Sequence, residues 1–238
     1  MDKKCSFDFI YILIFILIMI NMKIVILAAG KGTRMGELTI DTPKPLLRFE
    51  GKSLIEHKLE NIPDNTTEII IVVGYFGDMI RNEIGTNYKN IPIIYVQQDK
   101  MLGTAHALWK CRDFLNDSFI VLMGDDLYKK EDLEKLQGND WSILVFKDTT
   151  GSKVSKMEKN SEGNFVGIIE DLDGTSPHNL IYTGACFLTP EIFKKEMVEI
   201  SNGEFGLPQT FSKFTEEINI KIVETNNWTR ITSPKDLK

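Results

Sequence analysis

Residues 24–47 read Ile24-Val25-Ile26-Leu27-Ala28-Ala29-Gly30-Lys31-Gly32-Thr33-Arg34-Met35-Gly36-Glu37-Leu38-Thr39-Ile40-Asp41-Thr42-Pro43-Lys44-Pro45-Leu46-Leu47. The apolar run Ile24–Leu27 has the length and bounds of a buried strand. Three small residues end it, and small residues let a backbone or a ligand come close. Lys31, Gly32, Thr33 and Arg34 then place two cations and a hydroxyl on a turn. A third cation, Lys44, stands between two prolines that fix φ and remove donors, so this segment is expected to be stiff and extended rather than helical. Turn N–H groups and cations converging on one point suit a polyphosphate.

Working outward, the pattern repeats. A Ser53 cap predicts a helix to about Asn61, and Glu68–Val73 predicts a second strand closed by Gly74. A short helix over 78–84 and a third strand over 93–97 follow, then a fourth over 118–123. Alternation of this kind predicts an α/β fold: a Rossmann-like, mixed but mostly parallel sheet with helices on both faces. Such sheets bind ligands beyond the carboxyl ends of their strands. Two motifs fall there. Gln98 precedes Gly103 and Thr104, which open a helix. Gly124-Asp125-Asp126 ends the fourth strand. A glutamine can read a base edge, and an aspartate can hold Mg²⁺, which takes one or two carboxylates plus phosphates and water. Asp126 is expected to be solvated or to stand behind Asp125. His57 is expected to be an ordinary satisfied histidine, and His106 is given no role.

Neither of two familiar phosphate loops is present: Gly-x4-Gly-Lys-Ser/Thr is absent, and Gly30, Gly32 and Gly36 miss Gly-x-Gly-x-x-Gly by one residue. Leu27-x-Ala29-Gly30-x-Gly32-Thr33-Arg34-Met35, then Thr42-Pro43-Lys44-Pro45-Leu46, and Gln98-x4-Gly103-Thr104-Ala105, do resemble the sugar-1-phosphate nucleotidyltransferases. The resemblance covers residues 23–237 and is most specific up to Asp125. It implies a nucleotide-diphospho-sugar transferase-like fold, with residues 22–126 as a nucleotide-binding half and 127–238 as an acceptor-binding half of one domain. It implies that a nucleoside triphosphate and a sugar 1-phosphate join with release of pyrophosphate, with Mg²⁺ on Asp125. Arg34, Lys44 and Asp125 take the catalytic places. Leu27, Ala29, Gly30, Lys31, Gly32, Thr33, Gln98, Gly103 and Thr104 hold the nucleotide. Gly167, Glu170, Thr183, Gly184 and Arg230 hold the acceptor.

The second half departs from the family pattern twice. Asp171-Leu172 stands where a phosphate-gripping lysine and a proline are common. Arg230 replaces the acid of a Trp-x-Asp-x-Gly-Thr-Pro frame, here Trp228-Thr229-Arg230-Ile231-Thr232-Ser233-Pro234. Arg230 is expected to take a phosphate or substrate contact, with Asp171 supplying a carboxylate nearby. Three alternatives stay open: a cytidylyltransferase acting on a phosphocholine-like phosphate, a nucleotide-binding homologue with impaired turnover, and a molybdenum-cofactor nucleotidylating enzyme.

Composition sets the remaining bounds. A chain of 238 residues with 42 % apolar and 26 % charged residues can bury a core as one domain. Its net charge of −6 argues against a nucleic-acid polymer as partner. Three scattered cysteines suit a reducing cytoplasm. Phe9–Ile20 is apolar and too short to span a bilayer comfortably, which takes about 20 residues. Met22 is the expected functional start, with 1–21 an upstream extension; a membrane tether or a buried helix are the other readings of that segment. A homo-oligomer stays open.

Overall fold

The computed structural model describes residues 22–171 and 173–237, so the expectations about the apolar segment 1–21 lie outside it. Eight strands form the central sheet: β1 (Met22–Ala28), β2 (Thr66–Val73), β3 (Asn87–Tyr88), β4 (Ile91–Gln97), β5 (Phe119–Met123), then Trp141–Lys147, Leu180–Leu188 and Ile220–Thr225. A hairpin and several two-residue strands, three of them beside the site, lie outside this sheet. With the hairpin and these three counted in chain order, β6 is Asp126–Leu127, β7 is Trp141–Lys147, β8 Lys156–Lys159, β9 Phe165–Ile169, β10 Leu180–Leu188, β11 Phe205–Gly206, β12 Ile220–Thr225 and β13 Thr229–Arg230.

The sheet order is β12-β7-β10-β5-β1-β2-β4-β3. β1 pairs in parallel with β2 and β5, β2 with β4, and β12 with β7, whereas β10 runs antiparallel to both neighbours and β3 to β4. The sheet is therefore mixed and mostly parallel. β1 lies near its centre and buries both faces, as a parallel strand flanked on both sides must. Ile24 and Ile26 enter one core, and Val25 and Leu27 enter the other. The helices divide likewise. α1 (Leu54–Glu60), α2 (Gly77–Ile84) and α4 (Lys130–Leu136) cover the first face through Ile55, Leu59, Ile80, Leu133 and Leu136. α3 (Thr104–Trp109) and α5 (Leu207–Phe211) cover the second through Ala105, Leu108, Leu207 and Phe211.

Register brings the site elements together. Leu27 lies beside Val72 on one side and Met123 on the other, so β1, β2 and β5 end level. The chains leaving them pass very close: a side chain at Gly74 would meet the Ala29 carbonyl at 2.5 Å, and one at Gly124 the Leu27 carbonyl at 2.6 Å. Glycine is what permits that approach.

Two local expectations change. Lys44–Leu46 is a 3₁₀ turn, not extended chain. Pro43 itself is extended, and its carbonyl accepts from Leu46 N at 2.8 Å, so Pro45 sits in the first turn, where its missing N–H costs nothing. The last sheet strand is Ile220–Thr225. The long central β10 was not expected as a strand at all.

Candidate active site

Two cavities open along the carboxyl edge of the sheet and meet. The first, about 530 Å³, is lined by Leu27, Ala29, Gly30, Lys31, Gly32, Thr33, Arg34, Lys44, Gln98, Gly103, Thr104 and Asp125, so every residue expected to hold nucleotide faces one space. The second, about 320 Å³, is lined by Thr183, Gly184 and Arg230 among the expected acceptor residues. Arg34, Thr104, Met123 and Asp125 line both. A third hollow of about 850 Å³ continues from the first past Gln98 toward Tyr75 and Ile40.

The glycine turn is built for this. Gly32 has φ +65°, and a side chain there would meet Lys44 Cβ at 2.8 Å. The turn can thus lie against the Pro43–Pro45 segment. Arg34 projects from the 3₁₀ segment Thr33–Thr39, is exposed, and forms no ion pair among the described residues. Lys44 differs. It is buried, its Nζ donates to Asp125 Oδ2 at 2.6 Å, and the Ile231 carbonyl also accepts from it. The expected trio of free cations is therefore two exposed groups and one buried lysine already held on the metal candidate.

Asp126, expected to be solvated or second in line, is buried in β6. Burial and the neighbouring Asp125 raise its pKa, against Lys58, Arg230 and Lys44. Lys58 on α1 is also buried, with Nζ 3.3 Å from the Leu54 carbonyl and no ion pair among the described residues. Burial lowers its pKa, against the attraction of Asp125 and Asp126. A buried lysine behind two aspartates was missed in the sequence, although it carried a signal: Lys58 shares the apolar side of α1 with Leu54, Ile55 and Leu59.

Arg230 pairs across β13–β6 with Asp126, and its guanidinium lies 5.9 Å from the Trp228 ring centroid. Asp171 is not brought to the cavity Arg230 lines. Its carboxylate accepts from the backbone N–H groups of Gly174 at 3.0 Å and Ser176 at 3.2 Å, closing its own loop. A carboxylate with two local N–H donors has no reason to extend further. The expected Asp171–Arg230 exchange of charge thus has no structural counterpart. Gly167 and Glu170 lie on and just after β9, and neither lines the second cavity. Met157 and Ile168 of the hairpin do so instead, and Glu170 accepts from Ser155 Oγ at 3.3 Å.

Gly103 and Gly184 have packing reasons of their own. Gly103 has φ +94°, and a side chain there would meet the Phe205 carbonyl of β11 at 2.5 Å. Gly184 has φ +86°, and a side chain would meet Met123 Cγ at 2.2 Å. His57 is satisfied, its Nε2 lying 2.7 Å from the Phe49 carbonyl. His106 is not idle: its Nδ1 lies 2.8 Å from Gln98 Nε2.

The Nucleotidyl transferase family matches residues 23–227. The chain belongs to this family. UTP–glucose-1-phosphate uridylyltransferase AglF of Haloferax volcanii is 32 % identical over 198 residues, which cover 79 % of this chain and 81 % of AglF. The bifunctional protein GlmU of Methanococcus maripaludis is 29 % identical over 220 residues, 91 % of this chain and 53 % of GlmU, so the chain spans about half of that relative. A UDP-glucose pyrophosphorylase solved with UDP-glucose superposes with a TM-score of 0.78 at 23 % identity, covering 91 % of this chain and 95 % of that one, which speaks to the fold. A nucleotidyltransferase family member with this sheet is an enzyme of that class. Among the described residues no helix is long and apolar enough to cross a membrane.

Proposed function

We propose that this nucleotidyltransferase joins a nucleoside triphosphate to a sugar 1-phosphate, releasing pyrophosphate and forming a nucleotide-activated sugar. One observation supports this above all. Two cavities of different lining meet at Arg34 and Asp125, so two anions could touch end to end where the charged groups stand. In this reading residues 22–126 supply the nucleotide side, and 127–238 supply most of the acceptor side.

The reaction is a displacement. A phosphate oxygen of the acceptor bonds to the α-phosphorus, the bond from that phosphorus to the β-phosphate oxygen breaks, and pyrophosphate leaves with the electron pair. No side-chain base is needed, because a phosphomonoester with a second pKa near ~6 is already largely dianionic at neutral pH. The obstacle is the meeting of two anions, so the work is positioning and charge neutralisation. Arg34 and Lys31, exposed on the turn, would hold the departing phosphates. Lys44 would serve the α-phosphate or the incoming phosphate, and Arg230 the acceptor.

The donor set suits magnesium. Among the described residues no three His, Cys, Asp or Glu stand together as a protein cage. Asp125 offers one carboxylate at the junction, which is the type of site Mg²⁺ completes with phosphates and water. When bound, the ion would neutralise phosphate charge. The residue chemistry follows from Lys44: it shares Asp125 Oδ2, so a cation taken by that oxygen would free the lysine toward phosphate. Pyrophosphate release, measured across the four common ribonucleotide triphosphates and dTTP with a panel of sugar 1-phosphates, phosphocholine and inositol 1-phosphate, tests the proposal. Release confined to sugar 1-phosphates is expected. Release only with CTP and a non-sugar phosphate would move the acceptor class, and no release with any pair would defeat the catalytic reading.

A further inference from the structure

Gln98 begins the loop after β4, is only 4 % exposed, and borders both the nucleotide cavity and the hollow beside it. Its Nε2 lies 3.2 Å from the Gly103 carbonyl oxygen and 2.8 Å from His106 Nδ1. A carbonyl can only accept, so the amide NH₂ must face Gly103, and the orientation of the amide is fixed without reference to the histidine. The other hydrogen of that NH₂ then points at Nδ1. That nitrogen must therefore carry a lone pair, and the ring must be neutral with its proton on Nε2. Burial, and after it the charge of Lys110, lowers the His106 pKa and favours this form. Both amide hydrogens are thus spent on the protein. Gln98 Oε1 receives no donor among the described residues, yet it is not one of the sealed, unpartnered polar atoms. It is left as a pure acceptor on a residue that lines the cavity.

We propose that His106 is a positioning residue for base selection: by holding Gln98 it leaves only an acceptor facing the base. Such a site favours triphosphates whose ring offers an imino N–H there, as uracil, thymine and guanine do. It opposes those offering a ring lone pair, as cytosine and adenine do. Donor against acceptor is the kind of difference a site can read strongly, because a mismatch leaves polar groups unpaired. Without an acceptor at 106, one amide hydrogen is released and Gln98 loses half of its restraint. The proposal rests on the nucleotidyl-transfer reading only for its kinetic test.

The tautomer is tested first, on the wild-type chain without substrate. Two-bond ¹H–¹⁵N NMR correlations at neutral pH, assigned by the signal lost in His106→Asn, should show Nδ1 unprotonated and Nε2 protonated. A protonated Nδ1 would overturn the proposal whatever the enzyme does. For the kinetics, kcat/KM of the wild type should favour UTP over CTP by at least about tenfold. His106→Ala should shrink that ratio by about tenfold, through KM for the triphosphate, with kcat held within about twofold. These figures match one lost hydrogen bond to a charged or well-placed group. His106→Asn, whose Oδ1 can stand near the place of Nδ1, should recover most of the discrimination. A wild type that prefers CTP, an unchanged ratio in His106→Ala, or a fall in kcat with discrimination intact would each overturn it. If no triphosphate is turned over, the functional reading fails, while the NMR result still decides the geometry.

Discussion

At the scale of single residues, Arg34 and Lys44 are unlike cations. Arg34 is exposed and forms no ion pair among the described residues, whereas Lys44 is buried on Asp125. Both substitutions to Ala should lower kcat/KM by about 10²- to 10³-fold, the usual loss for one preorganised charge contact. Their stabilities should differ. Arg34→Ala should melt with the wild type, and Lys44→Ala should melt lower, because its loss leaves the Ile231 carbonyl and Asp125 without their donor. Calorimetry beside a pyrophosphate assay checks both, and near-normal turnover in either variant would remove that residue from the mechanism. Asp148 gives a pH signature away from the site. Its side chain is 4 % exposed and takes Lys156 Nζ at 2.7 Å, together with the N–H groups of Thr150 and Ser152. Burial alone would raise its carboxyl pKa, but the ion pair and these donors outweigh it and hold the value below 3.8. The sign follows: a carboxyl depressed in the fold lends stability that is complete above the unfolded value of about 3.9 and is lost as pH falls through the folded one. Urea midpoints measured downward from pH 5 should fall more steeply for the wild type than for Asp148→Asn. Parallel curves would show that the pair is irrelevant to acid unfolding.

At the scale of elements, one tight joint lies between β10 and β5. Gly184 has φ +86°, and a methyl group there would meet Met123 Cγ at 2.2 Å. Gly184→Ala should cost about 1–3 kcal/mol by overpacking, with added strain from the left-handed backbone. It should also displace Met123, which lines both cavities. A variant as stable as the wild type by urea titration would contradict this. The same joint shows why the strands are unevenly legible in the sequence. β1, β2, β4 and β5 are short apolar runs closed by glycine or polar residues, and that pattern fixes a buried parallel strand. The run Leu180–Leu188 is interrupted by Thr183 and Gly184 and carries a register shift between Tyr182 and Cys186, so its apolar periodicity is broken where it would have been recognised. Lys44–Leu46 departs from the expected extended chain for another reason. Proline forbids the middle of a helix but fits a first turn, and the sequence alone does not say which applies. The nucleotide-side residues were legible because glycines, prolines and cations mark backbone geometry directly. The buried Lys58 was marked only by its place among the apolar residues of α1, and the His106–Gln98 contact depends on how α3 rotates against the sheet, which no local motif records.

At the scale of the whole molecule, one sheet takes strands from both halves, and two cores lie on its faces. Cys111 and Cys186 are buried free thiols in one of these cores, and burial pushes each up to about 12. The reactive thiolate is therefore nearly absent at neutral pH. Alkylation followed by mass spectrometry should leave both unmodified in the native protein and should label both together at the urea midpoint, because the sheet that encloses them opens as a unit. Labelling of either well below the midpoint would reveal local opening. The position of β1 has a further consequence, for synthesis on the ribosome. β1 is the first of the described strands to emerge, yet its two partners are residues 66–73 and 119–123. An apolar strand with bare hydrogen-bonding edges must therefore wait through half the chain before its second side is closed. That delay makes the nascent protein a natural client for chaperones and places the hazard of misassembly before residue 123 has cleared the exit tunnel.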